Sequence, residues 1–355
     1  MSKPLVSVLI DTYNHERFIE QAIVSVLGQD VPPGEMEVIV VDDGSTDGTA
    51  AIVRKFAPRV RYLQKTNGGQ ASAFNAGIPE THADIVAFLD GDDWWEKGKL
   101  SIALAQLAKH PEVGAVGHGW YEFYSGSQPH LVVVPERDYE IQLRSVGEAR
   151  LFSQLRAFLG TSKITIRRTV LDRILPIPEE LVIEADEYIF TLAPAIAPAI
   201  ILKQPLFHYR FHGGNLFMLQ PGDPVKLRRK HDALSALLRT LPAALSQQGV
   251  SPEIITTVLE PIWVDVERMK LSLDGGKPWD TFRVEREAYR TAYSKTSLAY
   301  RAFKSLVLLS TLLMPPRQFY RARNWYTSKG LRRLRRVLGE PTPAEPVLTE
   351  RCEIE

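Results

Sequence analysis

The sequence predicts an α/β fold: a mostly parallel sheet with helices on both faces, followed by a C-terminal helical extension. Three observations carry this. Apolar runs and amphipathic stretches alternate through the first hundred residues. Ile85-Val86-Ala87-Phe88-Leu89 holds five apolar residues in a row, as a strand buried on both faces does. From about Pro224 the apolar spacing turns helical.

Taken in order, Val6 to Ile10 reads as the first strand, closed by Asp11-Thr12-Tyr13-Asn14. A helix from about Glu16 places Ile19, Ala22, Ile23, Val26 and Leu27 on one face. Val38 to Val41 is a second strand, closed by Asp42-Asp43-Gly44-Ser45, with Ser45 or Thr46 capping the next helix. Arg61 to Leu63 is a weaker strand, Asn67-Gly68-Gly69 a turn, and Ala71 to Ile78 a helix leading into the strand Ile85 to Leu89. The βα alternation implies parallel pairing. Beyond Trp95 the pattern gives a helix over Lys99–Lys109 and short strands at Val113–Val116, Leu131–Val134, Ile164–Ile166, Ile200–Leu202 and Leu206–Phe211. Helices are expected over Val146–Phe158 and Asp186–Ala197. The division that follows is a domain over 1–220 (halves 1–100 and 101–220), a helical extension over 221–340 and a disordered Pro- and Glu-rich tail over 341–355.

Bulk composition excludes several classes. Forty-three Lys and Arg almost cancel 42 Asp and Glu, so there is no global electrostatic case for nucleic acid. The single cysteine, Cys352, rules out an intrachain disulfide and any cysteine-based metal cluster. Met1 to Ile10 lacks signal-peptide character, and no apolar run is long enough to span a bilayer. A cytoplasmic protein is expected.

Three predicted parallel strands each end in a polar cluster, and parallel strands bring those ends to one edge of the sheet, where open α/β folds bind ligands. Asp90-Gly91-Asp92-Asp93 sets three carboxylates within four residues, which a divalent cation would stabilise. The chemistry suits a nucleotide. Tyr13, between Thr12 and Asn14, offers a flat face for a base; Asp43 accepts an imide or amino hydrogen; Asp92 binds a hard cation bridging two phosphates; Asp90 holds a ribose hydroxyl or metal-bound water. Asp93 caps the following helix or supports that shell. No Walker loop or Gly-x-Gly-x-x-Gly turn is present, so metal must meet the phosphate charge. A small stacking platform with one accepting carboxylate fits uridine, with thymidine or guanosine as alternatives.

These residues carry a resemblance. Val6 to Asn14, Val40-Val41-Asp42-Asp43-Gly44-Ser45-Thr46-Asp47, Asn67-Gly68-Gly69-Gln70-Ala71-Ser72-Ala73-Phe74-Asn75-Ala76-Gly77 and Asp90-Gly91-Asp92-Asp93 resemble the motifs of family 2 glycosyltransferases of the GT-A fold. Asp11 stands where that family commonly has proline. The resemblance implies an inverting transfer from a nucleotide-diphosphate sugar to a saccharide or lipid-linked acceptor, with Mn²⁺ or Mg²⁺ on the diphosphate. It adds Gln70 to the donor-binding set of Thr12, Tyr13, Asn14, Asp43 and Asp90. It places the catalytic base at Asp186, in Glu184-Ala185-Asp186-Glu187, where Ala185 displaces the usual glutamate and leaves Glu184 and Glu187 as alternatives. Tyr209-Arg210-Phe211-His212 resembles a later family element, which makes His212 a candidate metal ligand beside Asp92. Trp94, Glu184 and Arg210 are the acceptor-side candidates. The rival enzyme reading, a haloacid-dehalogenase-type phosphatase, expects Thr or Val where Trp94 stands; a sugar-nucleotide sensor without activity is the other alternative.

Residues 306–338 combine Leu306 to Met314, too short to span a bilayer, with a stretch lacking acidic residues. Arg317, Arg321, Arg323, Lys329, Arg332, Arg333, Arg335 and Arg336 interleave there with Phe319, Tyr320, Trp325, Tyr326 and leucines. That pattern suits a helix on an anionic membrane surface, or a basic helix packed on its own domain.

Overall fold

The computed structural model describes residues 3–124, 131–212, 215, 223–292 and 298–328. Ten strands form one sheet. The first four are β1 (Val6–Thr12), β2 (Met36–Asp42), β3 (Arg61–Gln64) and β4 (Ile85–Asp90), linked by helices α1 (Ile19–Leu27), α2 (Thr49–Arg54) and α3 (Gln70–Gly77). They pair in parallel in the order β3-β2-β1-β4. The register sets Asp11 beside Asp90 and Thr12 beside Asp42, so the polar ends meet at one edge. The apolar runs form strands because both of their faces are covered: Val8, Leu9, Ile10, Val40, Ala87, Phe88 and Leu89 are all buried.

The second half of the sheet is mixed. It follows β5 (Trp94–Trp95) and α4 (Lys99–Lys109), and comprises β6 (Ala115–Tyr124), β7 (Leu131–Val133), β8 (Tyr139–Ile141), β9 (Thr165–Arg167) and β10 (Ala199–Phe211). Helices α5 (Val146–Leu155), α6 (Arg168–Ile174) and α7 (Ala185–Ile196) lie between them in sequence. β9 runs antiparallel between β4 and β6, and β10 pairs in parallel with β6. This is the GT-A-like arrangement that the sequence predicts; β8 and α6 are additions to it, and three strands differ in detail.

The strand expected to end at Val116 runs on to Tyr124. Gly117 and Gly119 look like a break, but a Cβ on Gly117 would stand 2.3 Å from the Phe158 carbonyl oxygen, and one on Gly119 2.6 Å from that of Val133. Glycine is there to let backbone approach, not to end the strand. Ile200–Leu202 and Leu206–Phe211 form the single strand β10, with register shifts around Pro205 absorbing the interruption. Trp94–Trp95 pairs with His208 and Phe207, a long-range contact that no local pattern announces.

Contacts divide the described residues into two units, one containing those up to 212 together with 240–258, the other those from 215 to 239 and from 259 to 328. Helices α8 (Pro224–Gln247), α9 (Pro252–Asp274), α10 (Pro278–Ala292), α11 (Leu298–Ser310) and α12 (Pro316–Ser328) make the C-terminal part helical. The second unit has its own core of Val264, Leu271, Val284, Ala288, Phe319 and Tyr320. Phe319 and Tyr320, read from sequence as membrane-facing, therefore serve the interior of their own unit. Arg268 pairs through both Nε and a terminal nitrogen with Glu285 at 2.9 Å each. Leu306, Leu309, Leu312 and Leu313 are exposed. Residues 329–338 of the basic stretch, and the tail from 341, lie outside the described residues. No helix among the described residues is long and apolar enough to cross a membrane.

The centre of the first unit gives a direct test. Phe88 on β4 is fully buried and meets Phe74 of α3 edge-on, with ring centroids 5.2 Å apart. Phe88→Ala is expected to lower stability by about 3–5 kcal/mol, read as a shift in the urea midpoint.

Candidate active site

At the edge where β1, β2 and β4 end, two loops are laced together. Asn14, in the left-handed region with φ 56°, donates its N–H to Ser45 Oγ at 2.8 Å, and its Oδ1 accepts the N–H of Thr46 at 2.8 Å. This bracket leaves the neighbouring Tyr13 ring 43% exposed and open to stacking. Thr12 is buried and its Oγ1 lies 3.2 Å from His15 Nδ1.

Asp43 is buried and already well supplied with donors. Lys65 Nζ stands 2.7 Å from Oδ1, and the N–H groups of Gly68 and Gly69 donate to the carboxylate at 3.0 Å and 2.7 Å. Asp43 therefore organises the 65–69 loop as well as facing the edge. Gln70 is engaged too: its Oε1 accepts the Ala185 N–H at 3.0 Å, and its Nε2 donates to Thr161 Oγ1 at 3.3 Å. Gly69, at φ +86°, makes this approach possible, since a Cβ there would stand 2.6 Å from the Val182 backbone.

The carboxylates crowd as the register requires. Burial, then Asp92 and Asp186, push Asp90 up to about 8. Burial, then Asp90 and Asp92, hold Asp11 well above the usual carboxylate range, and Asp11 Oδ1 is buried with no hydrogen-bond partner. Asp92 behaves differently: burial works against its charge, but the hydrogen bond from His212, then the charge of His15, hold it below the ordinary value. His212 Nε2 lies 2.9 Å from Asp92 Oδ2. Asp93 caps no helix, since α4 starts at Lys99 after Gly98. It accepts the Arg210 N–H at 3.0 Å and the Ser162 hydroxyl at 2.7 Å, and so supports the shell around Asp90 and Asp92.

The acceptor-side candidates are placed less simply. Arg210 Nε donates to the Asp92 carbonyl at 2.9 Å and its guanidinium lies 4.4 Å from the Trp94 ring centroid. Trp94 also stacks on His208 at 4.5 Å, so its ring is engaged within the protein. Asp186 sits in the first turn of α7, where its Oδ2 accepts the Thr161 N–H at 3.1 Å. Its charge reaches both Asp90 and Asp11. Glu187 is held instead by Arg156, and Glu184 is buried in the left-handed conformation just before the helix. The Asp43, Asp90, Asp92, Asp186 and His212 carboxylates and imidazole thus share one edge. Sequence reasoning missed Ser162, Lys163 and His15; each acts on residues far along the chain, and only His15 carried a local signal, its place beside the first polar cluster.

A divalent cation fits this chemistry. Asp92 and His212 present an oxygen and a nitrogen donor side by side, and a positive charge would relieve the repulsion that raises Asp90 and Asp11. No three-ligand cage is preassembled among the described residues. The folded chain keeps the Asp90 proton up to about pH 8, whereas an unfolded chain loses it near pH ~4. Between those values the folded state binds the extra proton, so this group's contribution to stability falls as pH rises. Asp90→Asn is therefore expected to melt above the wild type at pH 8 without divalent cations, with the advantage vanishing towards pH 4, as thermal scans at both values would show.

Residues 7–175 match Glycosyl transferase family 2. An uncharacterized glycosyltransferase of Nostoc sp. is 32% identical over 228 residues, covering 60% of this chain and 66% of that protein. The poly(ribitol-phosphate) beta-N-acetylglucosaminyltransferase TarS of Staphylococcus aureus is 37% identical over 108 residues, 29% of this chain and 19% of TarS. The chain thus spans less than two thirds of these relatives' lengths. In structure it is similar to S. aureus TarS 1–349 in complex with UDP, with TM-score 0.56 at 22% identity over 92% of this chain and 93% of the other. It is also similar to the mannosyltransferase PcManGT of Pyrobaculum calidifontis in complex with GDP-Man and Mn²⁺, with TM-score 0.52 at 20% identity over 92% and 85%. With its motifs, sheet order and matched residues in agreement, the region 7–175 belongs to glycosyl transferase family 2.

Proposed function

We propose that the protein transfers a sugar from a nucleotide-diphosphate sugar, with UDP as the preferred nucleotide, to an acceptor hydroxyl with inversion. The observation that carries this reading is that two consecutive residues hold both groups: the Thr161 N–H reaches Asp186 at 3.1 Å and the Ser162 hydroxyl reaches Asp90 at 3.2 Å, although Asp186 lies on α7, far along the chain from β4. A base held close to cation-binding carboxylates is what a single-displacement transfer needs.

In the reaction, Tyr13 stacks on the nucleobase and the Asn14–Ser45–Thr46 bracket holds it there. Asp43 contributes the polar contact to the base through the loop it organises. Asp92 and His212 would hold Mn²⁺ or Mg²⁺, which would supply positive charge to offset that of the departing diphosphate. Asp90 meets the ribose. Asp186, oriented by the Thr161 N–H, takes the proton from the acceptor hydroxyl. The hydroxyl oxygen then forms its bond to the anomeric carbon as the bond to the diphosphate breaks. The saccharide is presented near Glu184 and Arg210, with Trp94 shaping the wall.

Relatives named for poly(ribitol-phosphate) and for teichuronic acid biosynthesis favour an acceptor in a cell-surface polymer or its lipid-linked precursor. Exposed Leu309 and Leu313, with exposed Arg317 and Arg321 following, favour contact with an anionic membrane at the inner face of the cell.

With Mn²⁺ and a panel of nucleotide sugars, the wild type is expected to release nucleotide in the presence of saccharide acceptors. Asp92→Ala should abolish metal-dependent release, and Asp186→Asn should lower kcat by about 10²–10⁴-fold while donor binding persists. Tight donor binding without turnover across the panel would favour a sensor and overturn the transfer reading. Separately, Leu309→Ser/Leu313→Ser should float less with anionic vesicles than the wild type; equal flotation would reject the membrane contact.

A further inference from the structure

His15 lies just after the polar end of β1, and its backbone is fixed on both sides. Its N–H donates to Thr49 Oγ1 at 2.9 Å, and its carbonyl accepts the N–H groups of Phe18 and Ile19, each at 2.9 Å. The ring is then set by Thr12, whose Oγ1 lies 3.2 Å from Nδ1. With the Nδ1 hydrogen given to Thr12, Nε2 carries a free lone pair, the arrangement by which an outer hydrogen bond orients a ligating imidazole. That Nε2 stands 3.9 Å from Asp92 Oδ2, the same oxygen that His212 Nε2 approaches to 2.9 Å. The two imidazoles meet edge to face at 87°, with centroids 6.5 Å apart.

The turn between the two aspartates is shaped for this. A Cβ on Gly91 would stand 2.9 Å from His15 Nδ1 and 2.7 Å from Thr12 Oγ1. Glycine at that place lets His15 and Thr12 close onto the carboxylate turn. Donors on adjacent corners of an octahedron with ~2.1 Å bonds stand about 3.0 Å apart. The Asp92–His212 pair already has that spacing, and His15 reaches it by moving inward by about 1 Å.

We infer that His15 is a third protein ligand of the divalent cation, completing an Asp92–His15–His212 set, and that this set biases the site towards Mn²⁺ over Mg²⁺. Two imidazoles and one carboxylate suit a borderline transition ion, whereas Mg²⁺ favours oxygen and retains its water. The inference rests on the donor-site reading above, and its test separates the two.

The experiment is Mn²⁺ titration of the full chain followed by electron paramagnetic resonance of the free ion, with and without UDP, and Mg²⁺ as competitor. Wild type, His15→Ala, His15→Gln and Asp92→Ala are compared, each with its melting curve. His15→Ala and His15→Gln are expected to weaken Mn²⁺ binding by about 10-fold or more and to reduce the preference over Mg²⁺. Unchanged Mn²⁺ affinity in a folded His15 variant, with affinity lost in Asp92→Ala, would overturn the His15 assignment alone. Unchanged affinity in Asp92→Ala as well would overturn the metal site itself.

Discussion

Repulsion among carboxylates at one edge of a parallel sheet is the constraint around which the first unit is built. The register that sets Asp11 beside Asp90 follows from pairing the apolar runs of β1 and β4, and it cannot be relaxed without moving their buried side chains to the wrong positions. The fold answers with donors brought from far along the chain. Ser162 reaches Asp90 and Asp93, the Arg210 backbone reaches Asp93, and His212 reaches Asp92. The Lys163 ammonium feels Asp186, Asp93 and Asp90 from beside the Trp120 ring. Asp11 is left the least compensated, with one buried oxygen unpaired. A site that concentrates negative charge in this way is destabilised when empty and relieved by a cation, which is the ordinary trade between stability and function.

Much of this was legible in the sequence because apolar runs and polar punctuation are local signals. β1, β2 and β4 announced themselves by unbroken Val, Ile, Leu and Phe, and their ends by Asp, Asn and Gly. β6 and β10 were only partly legible. Gly117, Gly119 and Pro205 break the local pattern, while the partner strands and the Phe158 and Val133 backbones that make sense of them lie elsewhere in the chain. β5 is two residues long and exists through its pairing with β10 alone.

Side-chain roles were less legible than strand ends. The motifs named Gln70 but gave no sign that its amide also bridges Ala185 and Thr161. Asp43 was read as an acceptor for a base hydrogen, and the three donors of its own loop that meet it were not visible in the sequence. Phe319 and Tyr320 looked like a lipid-facing stripe and are core residues of the second unit, because amphipathic spacing alone does not say which partner covers the apolar face. Asp186 and Glu187 are neighbours in one motif, and the ion pair that Arg156 makes with Glu187 could not be read from it.

The Gln70 bridge has a wider consequence. Asp43 fixes the Gly69 N–H, the next residue's amide grips both Ala185 and Thr161, and the Thr161 N–H holds the Asp186 carboxylate. The 65–69 loop and the Asp186 carboxylate are therefore fastened by consecutive hydrogen bonds, like two jaws on one hinge pin. A ligand that settles the 65–69 loop also stiffens the frame that aims Asp186. Substitutions would then be tolerated best in the aromatic β6 strand, which stands off that pin, and least at the start of α7, which the pin holds.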